Sequence, residues 1–117
     1  MATIHLTKGG FENRIAKIDE MAQGWRFLGE RPALIDFYAS WCGPCQRLSP
    51  IIDELAAEFE GKVDIYKVDV DAEEELARLF KVRSIPTLVY IPTEGLPIVE
   101  LGGKGKGELK EKLNALK

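Results

Sequence analysis

Residues 33–45 read ALIDFYASWCGPC, and this stretch decides the fold of the chain. Its first six residues form an apolar run interrupted only by Asp36, which predicts a buried strand covered on both faces. From Gln46 onward, apolar residues recur on one face at helical spacing, which predicts an amphipathic helix: Leu48, Ile51, Ile52, Leu55 and Phe59. The WCGPC motif therefore lies where a strand passes into a helix.

Both cysteines of the chain belong to this motif, with two residues between them. In a helix that begins at Cys42, the Cα atoms of Cys42 and Cys45 would lie about 5 Å apart, within the roughly 4.4–6.8 Å that a disulfide needs. Cys42 would also lie at the helix N-terminus, where free N–H groups and the helix dipole stabilise a thiolate. The spacing predicts thiol–disulfide exchange, with an exposed Cys42 as nucleophile and a shielded Cys45 as resolving thiol.

Other interpretations of the cysteine pair are weaker. A structural zinc site needs four ligands, and the chain offers no third cysteine and only one histidine, His5. A purely structural disulfide across so short a loop would remove little entropy from the unfolded chain. Two inert cysteines at this spacing remain a third alternative.

Length and composition indicate one globular domain, residues 1–117, with a net charge of −3, 45% hydrophobic and 30% charged residues. The charge and the lack of a basic patch argue against nucleic-acid binding. No apolar run is long enough for a membrane span. The N-terminus shows no secretory signal, which predicts a cytoplasmic protein; a signal removed from the chain would leave a periplasmic location as the alternative.

The order of apolar patterns is β-α-β-α-β-α-β-β-α, which predicts an α/β fold with a central mixed sheet and helices on both faces. The first helix should run from Gly10 to about Gln23 and end at Gly24. Residues 24–32 form an apolar connection that should pack back onto the domain. The strands 87–91 and 98–101 are joined by a short turn, so they should form an antiparallel hairpin.

Two further local features concern the helices. Pro50 interrupts the helix after the cysteines, and a kink is expected there because one intrahelical hydrogen bond is lost. Asp71 should cap a short helix, with Glu74 completing a capping box.

The WCGPC motif is similar to the active-site signature of thioredoxins, and the resemblance runs from about Ile4 to the end of the chain. It implies a thioredoxin fold and a protein-disulfide reductase that works without a bound cofactor. Its partners would be protein disulfide substrates and a flavoprotein thioredoxin reductase as electron donor, and the protein is expected to be a monomer. Tyr38 departs from the tryptophan that is common at its position in the family.

The resemblance also implies roles for individual residues. Asp36 matches the family's buried acid, and Lys67 matches the lysine that lies near it. The loop of Ile85, Pro86 and Thr87 matches the loop that carries a cis-proline opposite the cysteines. Gly102 matches the glycine that closes the substrate groove, and the resemblance includes Gly43 in the substrate-binding surface.

Four residues around the cysteines also have a purely structural interpretation. Asp36 could sit at a strand end with backbone donors as partners; a functional Asp36 would have a raised pKa and accept the proton of Cys45. Lys67 could be a solvated strand lysine rather than a neighbour of Asp36. Trp41 and Pro44 could be packing residues rather than an exposed apolar rim for protein substrates.

The segment 102–107 reads GGKGKG and invites a phosphate-loop interpretation. It lacks the Ser or Thr and the preceding buried strand of such loops, so a flexible turn is the better prediction. A different class of function also stays open: a binding module that holds a partner on Trp41, Pro44 and Ile85, with incidental redox chemistry.

Overall fold

The computed structural model describes residues 3–116 of the chain. Regular structure follows in this order: β1 (Thr3–His5), α1 (Lys8–Arg14), a 3₁₀ helix (Ile18–Gln23), β2 (Ala33–Tyr38), α2 (Gly43–Glu58), β3 (Asp64–Asp69), α3 (Glu74–Leu79), β4 (Thr87–Ile91), β5 (Ile98–Leu101) and α4 (Lys106–Ala115). Within these residues, no helix combines the length and the apolar character needed to cross a membrane.

The five strands form one mixed sheet in the order β1-β3-β2-β4-β5. Strands β1, β3 and β2 are parallel, whereas β4 runs antiparallel to β2 and β5 antiparallel to β4. The predicted mixed sheet and the predicted hairpin of residues 87–91 and 98–101 are therefore confirmed. Strand β2 lies in the centre of the sheet. The cysteines that follow it therefore lie at the carboxyl end of the central strand.

The sheet is covered on both faces, as predicted, and each face has its own apolar core. Ile35 and Phe37 of β2 belong to the core that also contains Phe11 of α1 and Leu76 of α3. Leu34, which points to the other face, packs with residues of α2 and α4: Leu48, Ile52, Leu55, Leu109 and Leu113. Asp36 shares the face of Leu34 because strand side chains alternate, and it therefore lies under α2.

The prediction of one continuous helix from Gly10 to Gln23 is wrong. Helix α1 ends at Arg14, and a separate 3₁₀ helix begins at Ile18 after Lys17, whose backbone is extended. At the break, the carbonyl of Ile15 accepts a hydrogen bond of 2.8 Å from the N–H of Leu28. A continuous helix would use this carbonyl for a hydrogen bond within the helix, so the contact with the following connection accounts for the break.

The connection after the 3₁₀ helix packs onto the domain, as predicted. Gly24 ends the 3₁₀ helix with a φ of 131°, in a region that favours glycine. Trp25 and Phe27 then pack against the core of α1 and α3. The apolar composition of this segment is explained by that contact.

Replacing Leu109 with alanine should destabilise the protein by about 2–5 kcal/mol, because a fully buried side chain between α4 and the sheet would leave a cavity. The matched control is Leu96→Ala, since Leu96 is 72% exposed and should change stability by less than about 0.5 kcal/mol. Urea denaturation of the three proteins measures both values. Equal destabilisation by the two substitutions would contradict the assignment of the second core.

Candidate active site

The two cysteines lie at the junction between β2 and α2. Strand β2 ends at Tyr38, and α2 begins at Gly43 with Cys42 as its N-cap residue. Cys42 and Cys45 form a disulfide, with their Cα atoms 5.2 Å apart. This separation matches the expectation from helix geometry. The pair can therefore open and close while the backbone of α2 stays in place.

The first turn of α2 directs its hydrogen-bond donors at Cys42. The backbone N–H of Cys45 points to the Cys42 Sγ atom, with an N-to-S distance of 3.2 Å. The N–H groups of the first turn have no partners within the helix, and they carry its partial positive charge. In the reduced protein this arrangement stabilises a thiolate on Cys42, because the donor and the helix dipole both favour the anion.

Exposure does not distinguish the two cysteines, although the sequence predicted an exposed Cys42. In the disulfide form, Cys42 is 5% exposed and Cys45 is 4% exposed. Both cysteines cluster with Ala39, against which Tyr38 and Ile85 also pack. Position relative to the helix terminus, rather than exposure, makes the two cysteines unlike.

The loop before β4 faces the disulfide, as the resemblance implied. The peptide bond between Ile85 and Pro86 is cis, and the carbonyl oxygen of Ile85 lies 3.8 Å from the Cys42 Sγ atom. Gly102 follows β5, and its N–H donates a hydrogen bond of 3.0 Å to the carbonyl of Pro86. Gly102 has a φ of 84°, so a glycine suits this position.

Trp41 and Pro44 lie at the surface beside the disulfide. Trp41 is 67% exposed, and Pro44 is exposed in the first turn of α2. The indole Nε1 of Trp41 donates a hydrogen bond of 2.8 Å to the Oδ2 atom of Asp71. The predicted apolar rim is therefore present, and one of its two side chains is held in place by an acid.

Asp71 does not cap a helix, contrary to the sequence prediction. Helix α3 begins at Glu74, and the side chain of its N-cap residue, Glu73, makes no capping hydrogen bond. The carboxylate of Asp71 is engaged by Trp41 instead, and its N–H donates to the Oδ1 atom of Asp69. The capping-box pattern was misleading because the Asp71 carboxylate binds Trp41, which lies 30 residues earlier in the sequence.

Asp36 is a buried acid under α2. Its side chain is 1% exposed, and its Oδ1 atom has no hydrogen-bond partner among residues 3–116. Burial raises the pKa of Asp36 from 3.8 to about 6, because the charged form loses its hydration. The positive charge of Lys67 opposes this rise in pKa, and the negative charge of Asp53 adds to it.

Lys67 lies beside Asp36 on the neighbouring strand, but its ammonium group is held elsewhere. The two residues are paired in the register of β2 and β3. The Lys67 Nζ atom donates a hydrogen bond of 2.8 Å to Ser49 Oγ and lies 4.9 Å from the centre of the Tyr38 ring. Lys67 therefore acts on Asp36 through its charge rather than through direct contact.

Sequence reasoning missed Ser49. Ser49 lies four residues after Cys45, so the two residues occupy the same face of α2. This spacing is the signal from which Ser49 could have been found. Tyr38, which stands where the family commonly has tryptophan, packs against the cluster of cysteines. Within residues 3–116, no three His, Cys, Asp or Glu side chains are grouped to hold a metal ion.

Comparison with known proteins agrees with the geometry. The thioredoxin family model matches residues 2–115. A thioredoxin of Borreliella burgdorferi is 50% identical over 78 residues, which cover 67% of this chain and 67% of that protein. A thioredoxin of Haemophilus influenzae is 37% identical over 111 residues, which cover 95% of this chain and 94% of that protein.

The fold is also similar to that of a solved structure, chloroplastic thioredoxin z. The TM-score is 0.77 at 23% sequence identity, and the match covers 97% of this chain and 93% of that one. At this level of identity the likeness supports the fold alone. The family match and the placement of the cysteine pair together lead to one conclusion: the chain belongs to the thioredoxin family, and it carries out dithiol–disulfide exchange through Cys42 and Cys45.

Proposed function

We propose that this chain is a net reductant of protein disulfides, with Cys42 as the attacking thiolate and Cys45 as the resolving thiol. The observation that carries the proposal is the position of Cys42 as the N-cap of α2, with the Cys45 N–H directed at its sulfur. A thiolate is the attacking species in disulfide exchange. Cys45, inside the first turn, lacks the terminal position that favours the anion.

The reaction takes two exchanges. The Cys42 thiolate attacks one sulfur of the substrate disulfide, so that a mixed disulfide forms and the other substrate sulfur leaves as a thiolate. Cys45, once deprotonated, attacks the Cys42 sulfur; this forms the Cys42–Cys45 disulfide and releases the second substrate thiolate. Two electrons pass from the protein to the substrate, and the released thiolates take up protons.

Asp36 is proposed to take the proton of Cys45 before the second exchange. A base of this kind works best when its pKa lies near the operating pH, and burial raises the pKa of Asp36 to about 6. Its unpartnered Oδ1 atom has a lone pair available for the proton. Lys67, held by Ser49, keeps the pKa from rising further.

Protein substrates are proposed to bind on the surface around the disulfide. Trp41, Gly43 and Pro44 would contact the substrate from the side of α2. Across the disulfide, an extended substrate segment would pair with the backbone at Ile85, next to Pro86, as an added strand does. Gly102 would close this surface from the end of β5.

The proposed direction of electron flow follows from the charges around the pair. A disulfide couple becomes an oxidant when its reduced thiolate is strongly stabilised. Here the intervening residues Gly43 and Pro44 supply no imidazole, and ionised Asp36 opposes a nearby thiolate. Pro44 also stiffens the start of α2, which favours the closed pair.

Disulfide substrates and a reductase partner are general properties of the family. Beyond these, we propose a flavoprotein thioredoxin reductase as the electron donor, no bound cofactor and a monomeric state. A cytoplasmic location would suit this role, since the reducing cytosol keeps a dithiol of this kind reduced.

The proposed activity predicts that the protein accelerates the reduction of insulin by dithiothreitol. The alternative of a binding module is favoured by one observation, the exposed indole of Trp41, and predicts no acceleration. Cys42→Ser is the control, because it should abolish the acceleration while leaving the surface of Trp41 and Pro44 intact. A rate equal to that of dithiothreitol alone would reject the reductase and leave the binding module.

Cys45→Ser should accumulate covalent mixed disulfides with substrate proteins, whereas Cys42→Ser should accumulate almost none. The first exchange needs only the thiolate at the helix terminus, and product release needs the second thiol. Non-reducing gels of the two variants after incubation with a disulfide substrate measure the difference. Equal trapping by both variants would overturn the assignment of nucleophile and resolving thiol.

Asp36→Asn should slow turnover but stabilise the fold at pH 7. The folded pKa of about 6 lies above the unfolded value of 3.8, so ionisation of Asp36 costs stability as the pH rises from about 4 to 6 and beyond. The cost is complete above the folded pKa, where it amounts to about 2–3 kcal/mol.

Denaturant unfolding of both proteins at two pH values tests this sign. At pH 7 the variant should have the higher free energy of unfolding, and near pH 4 the gain should largely disappear because wild-type Asp36 is then protonated. An Asn variant that is clearly destabilised at pH 7 would refute the buried-acid interpretation.

A further inference from the structure

A groove begins at the active-site motif and runs between α2 and the loop after β5. Its volume is about 320 Å³, and its lining residues are Pro44, Arg47, Leu48, Ile51, Gly103 and Lys104. The side chains from Pro44, Leu48 and Ile51 are apolar. The two charged residues in the lining are both cations, and no carboxylate among residues 3–116 lines this groove.

Arg47 is the cation nearest to the disulfide along the chain. Its side chain is exposed, and its Nη1 atom lies 3.7 Å from the position that a β-carbon on Gly43 would occupy. The guanidinium group therefore rests against the first residue of α2. Arg47 forms no ion pair with another residue in the range 3–116, so its charge is available to a ligand.

Lys104 places a second positive charge on the opposite side of the groove. Its ion pair with Glu108 is long, at 3.8 Å, and a pair of this kind near the surface contributes little. Lys106, two residues further on, differs because it binds both Glu54 and Glu58 of α2. Of these two lysines, Lys104 is the one that lines the groove and holds the weaker ion pair.

The positive charge of the groove contrasts with the net negative charge of the molecule. The chain has a net charge of −3, and on the Trp41 side of the disulfide the indole of Trp41 binds Asp71, whose N–H donates to Asp69. The surface around the cysteines is therefore positive beyond Pro44 and negative beyond Trp41. Such a charge distribution gives a bound segment one preferred orientation.

We infer that Arg47 and Lys104 bind a carboxylate side chain of the substrate protein, an Asp or Glu close in sequence to the disulfide that is reduced. This inference rests on the proposed reductase function and specifies which substrates that function prefers. A guanidinium group binds a carboxylate through two parallel hydrogen bonds. Leu48 and Ile51, which line the same groove, would contact the methylene groups of that side chain.

Two synthetic peptides with the same intramolecular disulfide test the inference. One carries Glu at the positions that flank the disulfide, and the other carries Gln there. The value of kcat/KM is measured for each peptide with wild type, Arg47→Gln, Lys104→Gln and the double variant. Lys62→Gln is the matched control, since it removes the same charge from an exposed residue beyond the far end of α2.

Wild type should prefer the acidic peptide, and each substitution in the groove should lower the ratio of acidic to neutral kcat/KM by about twofold to fivefold. Lys62→Gln should keep the wild-type ratio. Because charges at the surface are screened by salt, the wild-type preference should shrink between about 0.05 and 0.5 M NaCl.

Equal kcat/KM values of wild type for the two peptides would overturn the inference while leaving the reductase function intact. The inference is also overturned if Lys62→Gln lowers the ratio as much as Arg47→Gln does, because a general charge effect would then explain the preference. Failure of wild type to reduce either peptide would instead overturn the proposed function, and the inference with it.

Discussion

The chemistry of this protein depends on the electrostatic field at the first turn of α2. Cys42 caps that turn, and the N–H of Cys45 points at its sulfur. The field has a fixed direction because α2 is held against the sheet by a buried apolar face that includes Ile52 and Leu55. Strand β2, buried on both faces, delivers the motif to that position. The apolar cores thus serve to hold one helix terminus where a thiolate has to form.

The buried acid Asp36, which lies under the same helix, lowers the stability of the protein. A carboxylate at Asp36 has lost its hydration and keeps one oxygen without a partner among residues 3–116. A direct ion pair with Lys67 would relieve this cost, but Ser49 and the ring of Tyr38 hold the ammonium group. The carboxyl group therefore keeps a raised pKa and stays able to exchange a proton near neutral pH. Stability is lost at the position of the carboxyl group that we propose as the base of the reaction.

The surface around the disulfide carries opposite charges on its two sides in addition to its apolar groups. Trp41 is fixed by Asp71 on one side, and the groove beyond Pro44 carries the cations Arg47 and Lys104 on the other. Apolar contacts of the kind that Trp41 offers fit many protein segments, whereas opposite charges on the two sides distinguish one orientation of a segment from the other. On the inference above, this surface would tolerate many substrate sequences and still select for the charges near a disulfide.

The sequence by itself determined the order of strands and helices, the hairpin of residues 87–101 and the placement of the cysteines at a strand-to-helix junction. These features depend on periodicities and spacings within short stretches, so they can be predicted without knowledge of the rest of the chain. Tertiary structure decided the break between α1 and the 3₁₀ helix, where the carbonyl of Ile15 accepts the N–H of Leu28. It also decided that Asp71 binds Trp41 instead of capping a helix, and that Lys67 meets Ser49. Each of these outcomes joins residues from different elements, and a local pattern carries no information about a partner that only folding brings into contact.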